Sequence, residues 1–208
     1  MKTAAKNPLR WGLVLIVVLS VLAGGVLAWR SVVEARRPKG IVLEPRPAPD
    51  FVLTTQTGEP YRLSADQGRV RVLFFGYTHC PDVCPATLAV YKQAHARLGD
   101  QAEDVRFLFI TVDPQRDDPA RLADYIARFD PSFYGLTGEP GAVQRVLDSY
   151  GVFARALPPD PRTGGYVVEH STLSYIVDAG GMLRLAHGYG TSPDDIVHDV
   201  RLLLREGR

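Results

Sequence analysis

The stretch VRVLFFGYTHCPDVCP, residues 70–85, decides how this chain folds. It opens with the apolar run Val70–Phe75, which is typical of a strand buried on both faces. Cys80 follows in a short loop, and Cys84 lies at or near the start of the next helix. The proline after each cysteine suits a first helical turn, because that turn does not need the missing N–H group. The stretch therefore predicts a strand, a loop with two thiols and a helix.

Strands and helices alternate along the rest of the chain. The patterns predict β-hairpins at 51–63 and 173–186, a strand at 105–112, helices at 85–99, 119–129, 140–150 and around 196–204, and a loop at 154–165. This order indicates an α/β domain with a mixed sheet. It predicts a thioredoxin-like fold over residues 50–208, with an N-terminal β-hairpin and an inserted helix.

The N-terminal part has a different composition from the rest. Residues 11–29, WGLVLIVVLSVLAGGVLAW, carry no charge and as a helix would extend about 28 Å, close to the thickness of a bilayer core. They predict one transmembrane helix that precedes the domain. A cleaved signal peptide is the alternative, with Val26-Leu27-Ala28 as its cleavage site.

The flanks of this segment suggest an orientation. Residues 1–10 are expected to be a cytoplasmic tail, which places a single-pass protein in the bacterial inner membrane and its soluble domain in the periplasm. Four prolines and several basic residues at 30–49 predict an extended, semi-rigid tether. In an exported domain the two cysteines meet an oxidising compartment.

The overall composition bounds the possible functions. The chain has 208 residues, 46% of them hydrophobic, with a net charge of +1. That is enough apolar material for one domain with a core. A charge so close to zero gives no reason to expect a nucleic-acid partner.

Both cysteines of the chain lie four positions apart, at Cys80 and Cys84. If the turn is helical, the two share a face with their Cβ atoms about 5–6 Å apart. A structural disulfide across so short a loop would contribute only about 2 kcal/mol. Because a helix N-terminus favours thiolate, a redox pair or a site for a soft metal fits better. Two sulfurs with one histidine suit Cu(I) better than zinc, which usually has four protein ligands.

Five histidines are candidates for a third ligand. His95 and His198 fall on predicted helices and His187 ends a strand, so structural or solvated roles are expected for them. His79 adjoins Cys80 and is a weaker candidate for a ligand or pKa modulator. His170 precedes the strand STLSYIVD, at the position that faces the cysteine site in thioredoxin-like folds. It is the histidine expected to point at the two thiols.

Three segments together resemble the Sco/SenC family of membrane-tethered copper chaperones. They are GYTHCPDVCP, TVDPQRDDP and YVVEHSTLSYIVD, within a resemblance that covers roughly residues 45–205. The resemblance implies that Cys80, Cys84 and His170 bind a copper ion, Cu(I) or Cu(II). It also implies that the DPxRD segment, Asp113–Asp117, lies near the site or a docking surface.

The resemblance implies delivery of copper to the CuA centre of cytochrome c oxidase. The partners would be the CuA domain of subunit II and another periplasmic copper carrier. The alternative is a thiol-disulfide oxidoreductase, in which Cys80 and Cys84 are a redox pair that reduces the CuA-site cysteines. A chaperone needs no catalysis, so the protein is expected to be a metallochaperone rather than an enzyme. Thiol peroxidase activity is disfavoured, because Tyr77 and Pro81 stand where related peroxiredoxins have the reactive motif.

Overall fold

In the computed structural model, the described residues are 8–34 and 36–207, with only the backbone given for 8–14, 16–18 and 31. The helices are α1 Pro8–Glu34, α2 Val83–Leu98, α3 Pro119–Ile126, α4 Pro140–Tyr150 and α5 Pro193–Glu206. The strands are β1 Ile41–Pro47, β2 Val52–Thr55, β3 Pro60–Arg62, β4 Val70–Gly76, β5 Val105–Thr111, β6 Tyr134–Thr137, β7 Ala154–Ala156, β8 Val168–His170, β9 Ser174–Val177 and β10 Met182–His187. Two compact units result, one up to Arg37 and one from Pro38 onwards.

Within the second unit, the described strands form a mixed sheet in the order β1-β10-β9-β4-β5-β6-β2-β3. The strand β4 is central, pairing parallel with β5 and antiparallel with β9. All seven of its residues are buried, as the apolar run predicts. The fold prediction is confirmed here: β4, α2 and β5 form a βαβ unit, while β9, β10 and α5 close the domain.

The core lies between the central strands and the helices. Phe74, Phe75 and Phe109 project from β4 and β5, and each is at most 1% exposed. On α2, Leu88, Tyr91 and their successors at helical spacing are buried against the sheet. Each fully buried aromatic or leucine side chain contributes about 1.5–3 kcal/mol. The site at the end of β4 therefore rests on a rigid base.

The predicted hairpin near the start of the domain is present as β2 and β3, which pair antiparallel. It joins the edge of the sheet through β6. The strand β6 is not among the predicted elements, and neither are β7 and β8, which form a separate two-stranded sheet. All three have only three or four residues, too few to show an alternating pattern.

The predicted tether at residues 30–49 differs from the structure. Residues Ile41–Pro47 form β1, an edge strand that pairs antiparallel with β10. Pro45 and Pro47 are tolerated because an edge strand leaves one side unpaired and its register shifts between Val42 and Arg46. The backbone N–H groups of Lys39 and Gly40 also donate to the carboxylate of Asp199 on α5, both at 2.8 Å. The domain thus starts near Pro38 rather than at residue 50.

The N-terminal unit contains α1, which covers the predicted anchor at residues 11–29. Over the residues that the structure describes, no helix is sufficiently long and apolar to cross a membrane. The transmembrane prediction is therefore not confirmed. Most of the predicted cytoplasmic tail, residues 1–7, lies outside the described residues.

Candidate metal centre

The two cysteines lie where the sequence predicts them, in the loop from β4 to α2. Cys80 is half-buried in the loop, whereas Cys84 is completely buried in the first turn of α2. Both are free thiols. Gly76 makes the packing of Cys84 possible, because a Cβ atom there would lie 2.8 Å from the Cys84 sulfur. The end of the strand and the start of the helix thus approach each other through a glycine and a thiol.

The environments of the two sulfurs differ in charge. The Cys84 thiol lies beside the Cys80 sulfur and can donate to it, the backbone N–H of Cys84 donates to the same sulfur at 3.5 Å, and the N–H of Asp82 also acts on it. These donors stabilise a thiolate and lower the pKa of Cys80 to about 5. The hydrogen bond to Cys80, together with burial, raises the pKa of Cys84 well above its usual value. At neutral pH the pair therefore holds one thiolate, on the more exposed sulfur.

His170 faces the buried sulfur of this pair. Its Nε2 lies 3.8 Å from the Cys84 sulfur. Its Nδ1 lies 3.1 Å from the carbonyl oxygen of Val168, which can only accept a hydrogen bond. Nδ1 must therefore carry the proton, which leaves the lone pair of Nε2 directed towards Cys84 in the neutral ring. This tautomer is the one that a metal ion requires of a histidine bound through Nε2.

Tyr77 connects the strand that carries His170 to the cysteine loop. Its ring is 1% exposed and meets the imidazole of His170 edge to face, with 5.6 Å between ring centroids. Its hydroxyl oxygen accepts a hydrogen bond from the backbone N–H of Val168 at 3.3 Å. One side chain thus holds both the ring of His170 and the start of β8. Sequence reasoning missed this role, although Tyr77 stands within the GYTHCP motif.

The DPxRD segment holds Tyr166 in place, as Tyr77 holds His170. The guanidinium of Arg116 stacks on the ring of Tyr166 at 3.5 Å and donates to the carbonyl oxygen of the same residue at 2.9 Å. The Tyr166 hydroxyl donates to Asp113 at 2.8 Å, and Asp113 also pairs with Arg116. Because Tyr166 precedes β8 by only two residues, these contacts fix the approach of the chain to His170. Tyr166 is the second residue that sequence reasoning missed.

Asp117 supports the other side of the site. Its fully buried carboxylate accepts hydrogen bonds from the backbone N–H and hydroxyl of Thr78, at 2.9 and 2.7 Å, and from the hydroxyl of Thr111 at 2.7 Å. Thr78 is two residues before Cys80, so the carboxylate fixes the start of the cysteine loop. The expectation that the DPxRD segment lies near the site is thus confirmed.

His79, His95 and His187 each contact a carboxylate. The ring of His79 is turned towards Asp117, with its Nδ1 3.7 Å from the carboxylate. His95 hydrogen-bonds Asp130 at 2.9 Å, and the buried His187 hydrogen-bonds Asp199 at 2.8 Å. His198 lies on α5, as predicted. The positions of His95, His187 and His198 agree with the structural or solvated roles expected for them, and the contact of His79 with Asp117 is not one that a ligand role predicts.

The three predicted ligands, Cys80, Cys84 and His170, are neighbours, but their donor atoms are not arranged around a single point. Across the described residues, no group of three His, Cys, Asp or Glu side chains is arranged to hold a metal ion as it stands. Cys84 contacts both His170 and Cys80, so it is the central member of the group. Two sulfurs and an imidazole nitrogen are soft donors, which match Cu(I) in chemistry.

The fold and the site define a thioredoxin-like domain in which a dithiol at a strand–helix junction faces a histidine from a distant strand. The chain belongs to the SCO1/SenC family, whose model matches residues 43–205. The resemblance seen in the sequence is thereby confirmed.

Similar proteins agree with this assignment. A SCO2-like protein from Rickettsia conorii is 35% identical over 153 residues, which are 73% of this chain and 74% of the relative. The solved structure of Bradyrhizobium japonicum ScoI with copper bound is 34% identical, with a TM-score of 0.71 over 76% of this chain and 100% of that one. BsSco, described as having a disulfide switch and as a member of the Sco family of cytochrome c oxidase assembly proteins, is 25% identical, with a TM-score of 0.61 over 79% and 98%.

Proposed function

We propose that this protein binds one copper ion through Cys80, Cys84 and His170 and delivers it to the CuA centre of cytochrome c oxidase. The observation that carries the proposal is the approach of His170 Nε2 to the buried Cys84 sulfur, with the lone pair of the ring aimed at it. A half-exposed thiolate on Cys80 completes a three-donor set when it turns towards the same point. Copper bound to the ScoI relative supports the choice of metal.

The different exposure of the two sulfurs supports an order for the proposed delivery. Thiolates of the accepting protein reach Cys80 first, because Cys84 is fully buried. Replacement of Cys80 by a partner thiolate loosens one bond to the metal while Cys84 and His170 still hold it. Exchange of the remaining ligands then passes the ion over without its release into water. In this mechanism copper is cargo, and the protein acts as a metallochaperone rather than an enzyme.

The ligand set can be tested by measuring how the full chain binds copper in detergent. Titration against a coloured Cu(I) chelator should give one copper per chain, with almost complete loss in Cys80→Ser and Cys84→Ser. His170→Ala should weaken binding by more than about 1.4 kcal/mol, which is tenfold. The matched control is His198→Ala on α5, which should leave the affinity unchanged. Equal affinity of His170→Ala and the native chain would reject the three-donor site.

The CuA domain of subunit II is the proposed recipient, and another periplasmic copper carrier is the proposed source. Incubation of the loaded protein with a copper-free CuA domain, followed by separation and metal analysis, tests the first step. Transfer should need the reduced cysteines of the recipient. Copper that stays with this protein in the presence of excess recipient would argue against delivery.

A second function, reduction of the CuA-site disulfide, is favoured by the lowered pKa of Cys80. The Cys80 thiolate would attack one sulfur of the partner disulfide and form a mixed disulfide, with the other partner sulfur leaving as thiolate. Cys84 would then lose its proton and attack Cys80, which releases the partner dithiol and leaves a disulfide here. This activity needs both cysteines but not His170, so a His170→Ala variant that reduces the partner at the native rate would favour it over delivery.

We also propose that the domain works in the periplasm at the inner membrane. The thiol pair suits an exported domain, and the uncharged sequence of residues 11–29 supports attachment. Protease added to cells with a permeabilised outer membrane should digest the domain, and alkaline extraction should leave the chain in the membrane fraction. A chain protected from the protease would contradict the location, and a chain released by alkali would contradict the attachment.

A further inference from the structure

Arg71 lies near the start of β4, at the end of the strand remote from the cysteine loop. Its side chain is completely buried in the middle of a run of apolar residues. Only Nη1 is engaged, donating to the carbonyl oxygens of Asp66, at 3.0 Å, and of Arg69. Within the described part of the chain, Nε and Nη2 have no hydrogen-bond partner. A buried arginine with two idle donors is costly, because burial removes the water that would bind them.

The two idle nitrogens have a particular geometry. In a planar guanidinium, the N–H of Nε and one N–H of Nη2 point side by side in the same direction. This is the fork that binds both oxygens of a carboxylate or phosphate group at once. Arg71 therefore presents a complete and unused bidentate donor pair rather than a single unsatisfied hydrogen.

The carboxylates of Asp66 and Asp178 attract the charge of Arg71 from a distance, but no acidic side chain of this region forms a direct ion pair with it among the described residues. Each acidic side chain here is held by a different arginine: Asp50 by Arg62 at 2.6 Å, Asp66 by Arg69 at 2.9 Å and Asp178 by Arg184 at 2.9 Å. Arg71 itself contacts backbone oxygens only. Its positive charge is thus left without a carboxylate partner in direct contact, in a place where charges are normally paired.

A cavity of about 300 Å³ adjoins this guanidinium. Gly181 forms part of its wall, and a Cβ atom built there would lie 3.8 Å from Nη2. Both Nε and Nη2 are inaccessible to water, so the turn at Gly181 must shift before an anion in the cavity reaches the fork. Ser64 and Gln67 line the cavity from an exposed segment. Asp50 lines it as well, but its carboxylate is engaged by Arg62 and Ser64.

We propose that Arg71 and this cavity bind a small oxyanion, a carboxylate or a phosphate, through the fork of Nε and Nη2. The volume is at the lower limit of ligand pockets, which span about 300–1,000 Å³, so a small anion fits better than a nucleotide. Arg71 and Gly76 are at opposite ends of β4, about 17 Å apart at the rise of a strand. The anion site is therefore separate from the candidate metal centre and does not rest on the proposed function.

Thermal unfolding of the full chain, followed by circular dichroism, tests the site. At constant ionic strength, replacing chloride by acetate or by inorganic phosphate should raise Tm in a saturable way, and the anion that saturates at lower concentration identifies the source. Arg71→Lys keeps the charge but lacks the fork, so its Tm should no longer respond. Equal Tm values in chloride, acetate and phosphate at all concentrations would overturn the proposal.

An exposed residue at the cavity gives a test that does not disturb the core. Gln67→Lys should tighten anion binding several-fold and Gln67→Glu should weaken it several-fold, since both act by charge at the cavity wall. The same pair at Gln93, an exposed position on α2 that does not line the cavity, is the control and should change nothing. Identical anion responses in the two Gln67 variants would overturn the proposal even if Arg71→Lys fails to fold.

Discussion

The Nε2 atom of His170 lies 3.8 Å from the sulfur of Cys84, although 86 positions separate the two residues in the chain. Protein contacts hold the ring in this orientation, because the carbonyl of Val168 accepts from its Nδ1 and Tyr77 packs against it edge to face. A site that is oriented before its ion arrives loses less freedom on binding. Copper affinity should therefore be sensitive to residues that never touch the ion.

Tyr77→Phe tests this dependence. The substitution keeps the ring that packs on His170 but removes the oxygen that accepts the N–H of Val168, so a buried donor is left unpaired. We expect copper affinity to fall about 10–100-fold, as is usual when a group that orients a metal ligand is lost. Chelator competition measures it. Tyr189→Phe, at an exposed tyrosine, is the control, and equal affinities of the two variants would contradict the orienting role.

Gly76→Ala probes the close approach between β4 and Cys84. The added methyl group would lie 2.8 Å from the Cys84 sulfur and 2.9 Å from the ring of Phe109, so both must move. We expect a loss of about 1–3 kcal/mol in the free energy of unfolding, together with weaker copper binding. Urea denaturation of the copper-free chain measures the first effect. Gly188→Ala, which meets nothing within 4 Å, should be nearly neutral.

The two thiols should differ in reactivity. Because the pKa of Cys80 is lowered to about 5, its thiolate form is complete at neutral pH and disappears as the pH falls through that value. Alkylation by iodoacetamide, followed by mass spectrometry, should modify Cys80 first. Its rate should be flat between about pH 7 and 9, where an ordinary thiol with a pKa of about 8.5 still titrates.

The same alkylation measurement tests why the pKa of Cys80 is low. Cys84→Ala removes the thiol that donates to the Cys80 sulfur, so the midpoint of the Cys80 alkylation profile should move up towards about 8.5. A midpoint that stays near 5 in this variant would assign the effect to the backbone N–H groups instead. Faster modification of Cys84 than of Cys80 in the native chain would contradict the assignment of the thiolate.

Asp117→Asn and Asp118→Asn form a matched pair of neighbouring substitutions. The carboxylate of Asp117 is buried and accepts three hydrogen bonds, so the amide should cost about 1–3 kcal/mol of unfolding free energy. Asp118 caps α3 by accepting the N–H of Arg121, and asparagine caps a helix equally well, so that change should stay within about 0.5 kcal/mol. Equal losses in urea denaturation would show that Asp117 has no special role.

Much of the fold, and the positions of the two thiols and of His170, could be predicted from the sequence because they depend on local patterns and on their order. The apolar run at 70–75 gives β4, and the cysteines next to it give the loop and the start of α2. His170 could be placed because the order of strands in a thioredoxin-like fold fixes which segment faces that loop. In each case a short stretch of chain, or the order of such stretches, determines the position.

The remaining features depend on contacts between distant segments. The prolines of residues 41–47 favour an extended tether when viewed alone, and only pairing with β10 makes them an edge strand. The sequence does not single out Arg71, which stands within a run of apolar residues. The cavity beside it is lined by residues from other parts of the chain, so no local pattern indicates it. The clamp of Arg116 on Tyr166 joins residues 50 positions apart that share no motif.

The pairing of residues 41–47 with β10 also protects an edge of the sheet. Because Lys39 and Gly40 bond to Asp199 as well, the start of the domain is held by two elements from its C-terminal part. A domain cut at residue 50 would lose β1, and the backbone N–H and C=O groups of β10 would then be open to pairing with another chain.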